Sequence, residues 1–182
     1  MPNIASINDY QTFLIENTLV DNQFLPGYFY TYHYDYRQDM NKFLKYPKSV
    51  RDFFDGRPLI YLINRYLTKD GKSKMARGVN LHYMPIPARR FWIDALAKVS
   101  PGYMEREQRI IIPQDMVPVL TRKTSFALKQ YDINKVKYIR RVPFSVIKDL
   151  INFIPPTHEG KSYDEIASEY RLFQPDTRII KG

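Results

Sequence analysis

Three histidines, His33, His82 and His158, and a complete absence of cysteine limit the metal and nucleophile chemistry open to this chain. No two of the histidines stand three or four residues apart, so no single helix turn brings a pair to one ion. Without thiolates, a zinc site would have to recruit distant carboxylates. His33 and His82 both fall in stretches with strand-like alternation, where they could meet across a sheet; a packed, hydrogen-bonded histidine is the reading such positions favour over a general base. Asp164-Glu165 and Glu105-x-Glu107 read as solvated charges of helices or turns rather than as an acid and a base. Lys69-Asp70-Gly71-Lys72-Ser73 carries the Gly-Lys-Ser end of a phosphate loop, yet that motif needs a glycine five residues before Gly71, where Tyr66 stands. A solvated hairpin tip fits this run better. No catalytic residue, cofactor or metal ligand is assigned from the sequence.

Charge gives the stronger functional signal. Twenty-eight lysines and arginines face 19 acids, for a net charge of +9 and a pI near 9.6, which favours an anionic partner. The excess is concentrated in two segments. Lys69 to Arg90 holds six bases against Asp70, and Arg122 to Arg141 holds seven against Asp132, which leaves the rest of the chain slightly acidic. Lys69, Lys72, Lys74 and Arg77 in the first segment, and Arg122, Lys123, Lys137, Arg140 and Arg141 in the second, are candidate contacts for phosphates or for an acidic partner. No nucleic-acid-binding motif accompanies them, so salt bridges to a neighbouring subunit and simple solubility remain open beside nucleic acid.

These residues need elements to hold them. Ser6 to Asn17 is predicted to be a helix, with Ser6 as N-cap, Asp9 three residues on, and Tyr10, Phe13 and Leu14 on one face. After a Pro26-Gly27 turn, Tyr28, Tyr30, Tyr32, Tyr34 and Tyr36 occupy every second position, as on one face of a strand. Such rings could line a core, stack bases or form an interface. Arg37 to Asp55 reads as a charged excursion, Leu59 to Ile63 as a buried strand, Thr68 to Lys74 as a tip, and Gly78 to Tyr83 as a third strand. Pro85 and Pro87 open a helix with Trp92, Ala95, Leu96 and Val99 on its inner face and Arg89 pointing elsewhere, ending at Ser100-Pro101-Gly102. Further on, Arg109 to Ile112 is expected to be a short strand, Thr121 to Gln130 a helix and Lys135 to Val142 a strand. Pro143 opens a helix with Phe144, Ile147, Ile151 and Ile154 on one side. Ser162 and Glu165 have capping-box spacing for a last short helix, before a polar tail from Gln174.

At 182 residues the expectation is one domain: a helical arm over 1–24, a strand-rich core with its helix over 25–100, and a helical and strand-containing part over 101–182. The fold class is α+β, a small antiparallel sheet or SH3-like barrel flanked by several helices. The start, Met1-Pro2-Asn3-Ile4, does not read as a signal peptide. The longest apolar run, Leu59 to Ile63, falls far short of the ~20 residues that span a bilayer, so no membrane partner is expected.

The runs Pro26-Gly27-Tyr28-Phe29-Tyr30-Thr31-Tyr32, Arg57-Pro58-Leu59-Ile60-Tyr61-Leu62-Ile63 and Arg77-Gly78-Val79-Asn80-Leu81-His82-Tyr83-Met84-Pro85, followed by a helix with Arg89, resemble a family of virion structural proteins of contractile-tailed bacteriophages. The resemblance covers roughly residues 25 to 100. It implies a non-enzymatic particle component of tail, baseplate or neck, located in the virion after assembly in the host cytoplasm, with other virion proteins as partners in a symmetric assembly. The alternative is a basic nucleic-acid-binding protein such as a DNA-end or head-completion factor. Tyr28, Tyr32, Tyr36, Arg89 and Arg90 are the residues expected at protein interfaces.

Overall fold

The computed structural model describes residues 4–36, 48–99, 109, 110, 112, 116–118, 122, 127–153 and 165. The first helix, α1 (Ile7–Asn17), starts where its sequence dictates: Ser6 Oγ accepts from the Asp9 amide while the Asp9 carboxylate accepts from the Ser6 amide. This reciprocal pair satisfies two donors that the first turn would otherwise leave unmade.

Six strands, β1 (Leu19–Val20), β2 (Phe29–Tyr34), β3 (Leu59–Leu67), β4 (Lys74–Asn80), β5 (Leu128–Asp132) and β6 (Val136–Val142), form one sheet. Their order is β1-β6-β2-β3-β4-β5, and all pairings are antiparallel. The fold is therefore α+β. A 3-10 turn, Ile133–Lys135, links β5 to β6, although those strands lie far apart in the sheet order. Strong curl reconciles the two facts. Tyr131 on β5 meets the rings of Tyr32 and Tyr34 on β2 at 5.6 and 5.0 Å, edge to face, and the Asp132 amide donates to the Tyr34 hydroxyl. Among the described residues β1 and β5 do not pair, so the sheet stays open.

The tyrosine alternation of β2 serves the core. Tyr30, Tyr32, Tyr34 and Tyr36 are buried, with Phe24 against the first two rings. Phe29 and Thr31, on the opposite face, are buried as well, because Tyr61 and Phe144 pack there. A central strand covered on both faces cannot be told from a one-faced strand when its covered polar rings alternate so regularly.

Four helices are described: α1, α2 (Lys48–Arg51), α3 (Ile86–Val99) and α4 (Phe144–Leu150). The α2 turn continues into a π-helical turn over Asp52–Gly56, which drives Phe53 and Phe54 into the core. The latter part of the expected charged excursion is thus a structural element; residues 37–47 lie outside the described set. Strand β4 starts at Lys74, earlier than predicted, and ends at Asn80 because the Asn80 side chain accepts from the His82 amide and starts a 3-10 turn over Leu81–Tyr83. His82 is therefore on a turn, not on a strand.

Three further expectations are corrected. Leu128 to Gln130, placed in a helix by pattern, belong to β5. Arg109, Ile110 and Ile112 are in no strand, although the Ile110 amide donates to the Gly27 carbonyl. Arg89 sits on the inner stripe of α3 with Trp92, Ile93 and Leu96. The stop at 100–102, most of 113–126, Ile154, and the last helix and tail apart from Glu165 lie outside the described residues.

Candidate functional site

The run from Arg77 to Pro85, around β4, builds a buried hub. Gly78 lets the strands pack closely, since a Cβ there would lie 3.0 Å from the Tyr61 carbonyl oxygen and from Ile60 Cδ1. The Asn80 amide donates to the Phe54 carbonyl and the Tyr131 hydroxyl. His82 Nδ1 lies 2.5 Å from the Phe53 carbonyl oxygen, and its Nε2 lies 2.7 Å from the Tyr10 hydroxyl. A carbonyl only accepts, so Nδ1 carries the proton and Nε2 accepts from Tyr10. Burial, reinforced by the Arg89 charge, pushes the imidazole pKa down to about 3, and the Phe53 ring stacks on it at 3.9 Å. The ring is neutral, with both nitrogens engaged. The Tyr83 hydroxyl donates to Asp55.

Arg89, only 2% exposed, ties this hub to α4. Its Nε donates to the Leu81 and Met84 carbonyls at 3.1 and 2.9 Å, and Nη1 to the Phe153 and Ile151 carbonyls at 2.6 and 3.4 Å. Of the residues expected at interfaces, Tyr32, Tyr36 and Arg89 are therefore interior. Tyr28 is half-buried with the Arg141 guanidinium 4.9 Å over its ring. Arg90 alone of this set is exposed, donating to the Asn152 side chain.

The basic candidates divide by role. Lys69 and Lys72 sit on the exposed β3–β4 tip, whose turn is closed by the Asp70 carboxylate accepting from Thr68 Oγ1 and the Lys72 amide; Gly71 takes φ +70° there. Those two bonds hold the Asp70 pKa below its usual range. Lys74, Lys137 and Arg122 are exposed, Arg77 is half-buried, and Lys123 lies outside the described residues. Arg140 is structural: it donates to Thr18 Oγ1 and to the Ile15 and Thr18 carbonyls, placing a cation at the C-terminal end of α1, which has no basic residue in its own last turn. Lys129 is 3% exposed, 4.1 Å over the Tyr83 ring. Its Nζ has no hydrogen-bond partner among the described residues, and burial pushes its pKa down to about 8 against the pull of Asp55.

One surface feature has no counterpart in the sequence reading. Thr31 pairs with Arg140 and His33 with Lys137, so Tyr138 and Ile139 together face the single residue Tyr32 in a bulge of β6. Tyr138 adopts φ +56°, a left-handed conformation costing a non-glycine residue about 1–2 kcal/mol, and is 74% exposed. Its ring meets His33 edge to face at 5.1 Å. It borders a groove of about 170 Å³ lined also by Leu14, Ile15, Arg57 and Arg140. Exposed Ile15 belongs to this groove, and exposed Val20 is paired with Arg140 beside it. Among the described residues no carboxylate lines this groove, while Asp35 and Asp52 line an adjoining one that shares His33 and Arg57. Among the described residues Arg140 bonds only to neutral oxygens. Burial against the packed protein, helped by the Arg57 charge and opposed by Asp52, holds His33 below its usual pKa.

His33 and His82 do not come together: the first is exposed beside the bulge and the second is buried in the hub. Among the described residues, no group of three His, Asp or Glu side chains is placed to hold a metal ion, and no helix is long and apolar enough to cross a membrane. Compared with known proteins, the chain matches no protein-family model, no curated protein and no solved structure.

Proposed function

We propose that this protein is a non-enzymatic structural component of a contractile-tailed bacteriophage particle, in its tail, baseplate or neck, and that it works by holding a neighbouring virion subunit. The observation that carries the reading is Tyr138: a large ring, three-quarters exposed, on a strained backbone at the mouth of an apolar groove. Strain of that kind persists only where the surroundings enforce it, and it concentrates at working surfaces. Exposed Ile15 and Val20 extend the apolar area, and tyrosine and arginine are the side chains that anchor interfaces. The Arg57 and Arg140 charges lining the groove favour a partner segment that brings an apolar anchor flanked by acids.

The phage resemblance supports the address, and the hub gives its signature a physical content. Gly78, Asn80, His82, Tyr83 and Arg89 maintain a fold rather than a reaction. We also read the curled sheet as an SH3-like barrel with an open seam. The order β6-β2-β3-β4-β5, with a 3-10 turn joining the last two strands in the chain, supports that reading.

Tyr138→Gly tests the interface. Glycine relieves the left-handed strain, which offsets the lost His33 contact, so the variant should unfold no more easily than wild type. Supplied to phage lacking its own copy, it should nevertheless fail to enter particles. Incorporation equal to wild type would overturn the assignment of this surface.

A further inference from the structure

A second groove, of about 300 Å³, lies at the far end of the sheet, lined by Asn64, Tyr66, Leu67, Thr68, Lys69, Arg77 and Gln130. Its floor is a row across three strands: Asn64 on β3 stands opposite Arg77 on β4, which stands opposite Gln130 on β5. A register shift in β3 just before Asn64 allows this row. The Tyr66 hydroxyl donates to Gln130 Oε1, so the amide nitrogen of Gln130, a donor, is left for another group. Arg77 Nε and Asn64 Oδ1 are buried and have no hydrogen-bond partner among the described residues. Lys69 adds a second cation from the exposed tip. Among the described residues no carboxylate lines the groove, and Asp70, the acid of the tip, is committed to closing its turn.

Two cations, Lys69 and Arg77, and the Gln130 amide donor, with no anion among the described lining residues, make a site for an oxyanion. The surroundings select its carrier. Asn64 to Arg77 contains Arg65, Lys69, Lys72, Lys74 and Arg77 against Asp70, a net +4 over one hairpin. Lys72 is exposed on the same β3–β4 tip as Lys69, so a polymer with a phosphate at every unit can fill the groove with one group and reach the tip with its neighbours. We propose that this hairpin groove binds the phosphate backbone of a nucleic acid. Arg77 and Gln130 hold one phosphate, Asn64 turns whichever end of its amide the ligand needs, and Lys69 and Lys72 on the tip engage the flanking charges. This site is separate from the Tyr138 surface and stands or falls without it.

The test is a fluorescence-anisotropy titration of the full chain against labelled single-stranded and duplex DNA of about 20 nucleotides, at about 50 and 200 mM salt. Wild type should bind at the lower salt and weaken steeply at the higher. Arg77→Gln and Lys69→Gln should each weaken binding about tenfold and reduce the log–log salt slope by about one. Lys69 is exposed, so its variant keeps the fold even if Arg77→Gln does not. Poly-glutamate at matched charge should fail to displace the DNA. Absence of binding at low salt, or variants that bind with unchanged affinity and slope, would overturn the proposal. So would displacement by poly-glutamate as effective as by unlabelled DNA, which would assign the groove to an acidic protein face.

Discussion

Replacing Arg89 by methionine separates a structural arginine from an interfacial one. Methionine has a similar length and fills much of the same volume, so the cavity left behind is small. The donors are lost entirely. The Leu81, Met84, Ile151 and Phe153 carbonyls would each lose a bond to the guanidinium. A buried acceptor left unmade costs about 1–3 kcal/mol, and the two weaker bonds and local relaxation reduce the sum, so we expect about 3–5 kcal/mol of lost stability. For a chain of this size each kcal/mol moves the midpoint by about 2–4 °C, which places the variant roughly 6–20 °C below wild type. Trp92 is the only tryptophan and lies buried on the same stripe of α3, so its fluorescence during denaturant unfolding reports directly on this region. Arg90→Met is the control: its side chain is exposed, and the change should stay within about 0.5 kcal/mol. If Arg89→Met unfolded within 1 kcal/mol of wild type, the reasoning that makes Arg89 the tie between the hub and α4 would be refuted.

Three other outcomes follow from the same packing. The imidazole of His82 has its pKa held near 3, below its value in the unfolded chain, so the unfolded state takes up a proton first as pH falls through 6.5 and stability declines toward pH 3 by up to about 1.4 kcal/mol per unit. Denaturant melts at pH 6.5 and 4.5 should show a smaller loss in His82→Gln than in wild type, and equal losses would contradict the buried neutral ring. Lys129 has its pKa depressed to about 8, so between pH 8 and the unfolded value the unfolded chain holds the extra proton and stability should rise with pH. Melts at pH 8 and 9.5 should record that rise in wild type and its absence in Lys129→Met. Gly78→Ala should cost about 1–3 kcal/mol by forcing a Cβ against the Tyr61 carbonyl, and a thermal melt equal to wild type would remove the packing reason for that glycine.

The elements that were legible in the sequence are those whose signals are local. The capping box of α1, the hairpin between β3 and β4, the proline openings of α3 and α4, and the final strand all follow from residues within a few positions of each other. What was not legible depends on partners distant in the chain. Arg89 has the i, i+3, i+4 spacing to Trp92 and Ile93 that marks an inner face, but a charge is expected outside unless one knows that four carbonyls converge on it. The tyrosines of β2 carry polar tips and so resemble a surface, whereas Phe24 and Tyr131 arrive from elsewhere to cover them. Leu128 to Gln130 read as helix until β4 is there to pair with them. Tyr138 had no signal at all, since left-handed bulge positions are usually marked by glycine or asparagine. Asn64 did leave one, as a polar residue interrupting an apolar strand run, and it became meaningful only when Arg77 and Gln130 were found beside it.

The most direct test of the central claim is quantitative mass spectrometry of gradient-purified phage particles from cells that carry this gene. We expect the chain to co-purify at a constant copy number per particle, with lysine cross-links from Lys137, next to the Tyr138 bulge, to one neighbouring structural protein. Particles that are complete and infectious without this chain would contradict it.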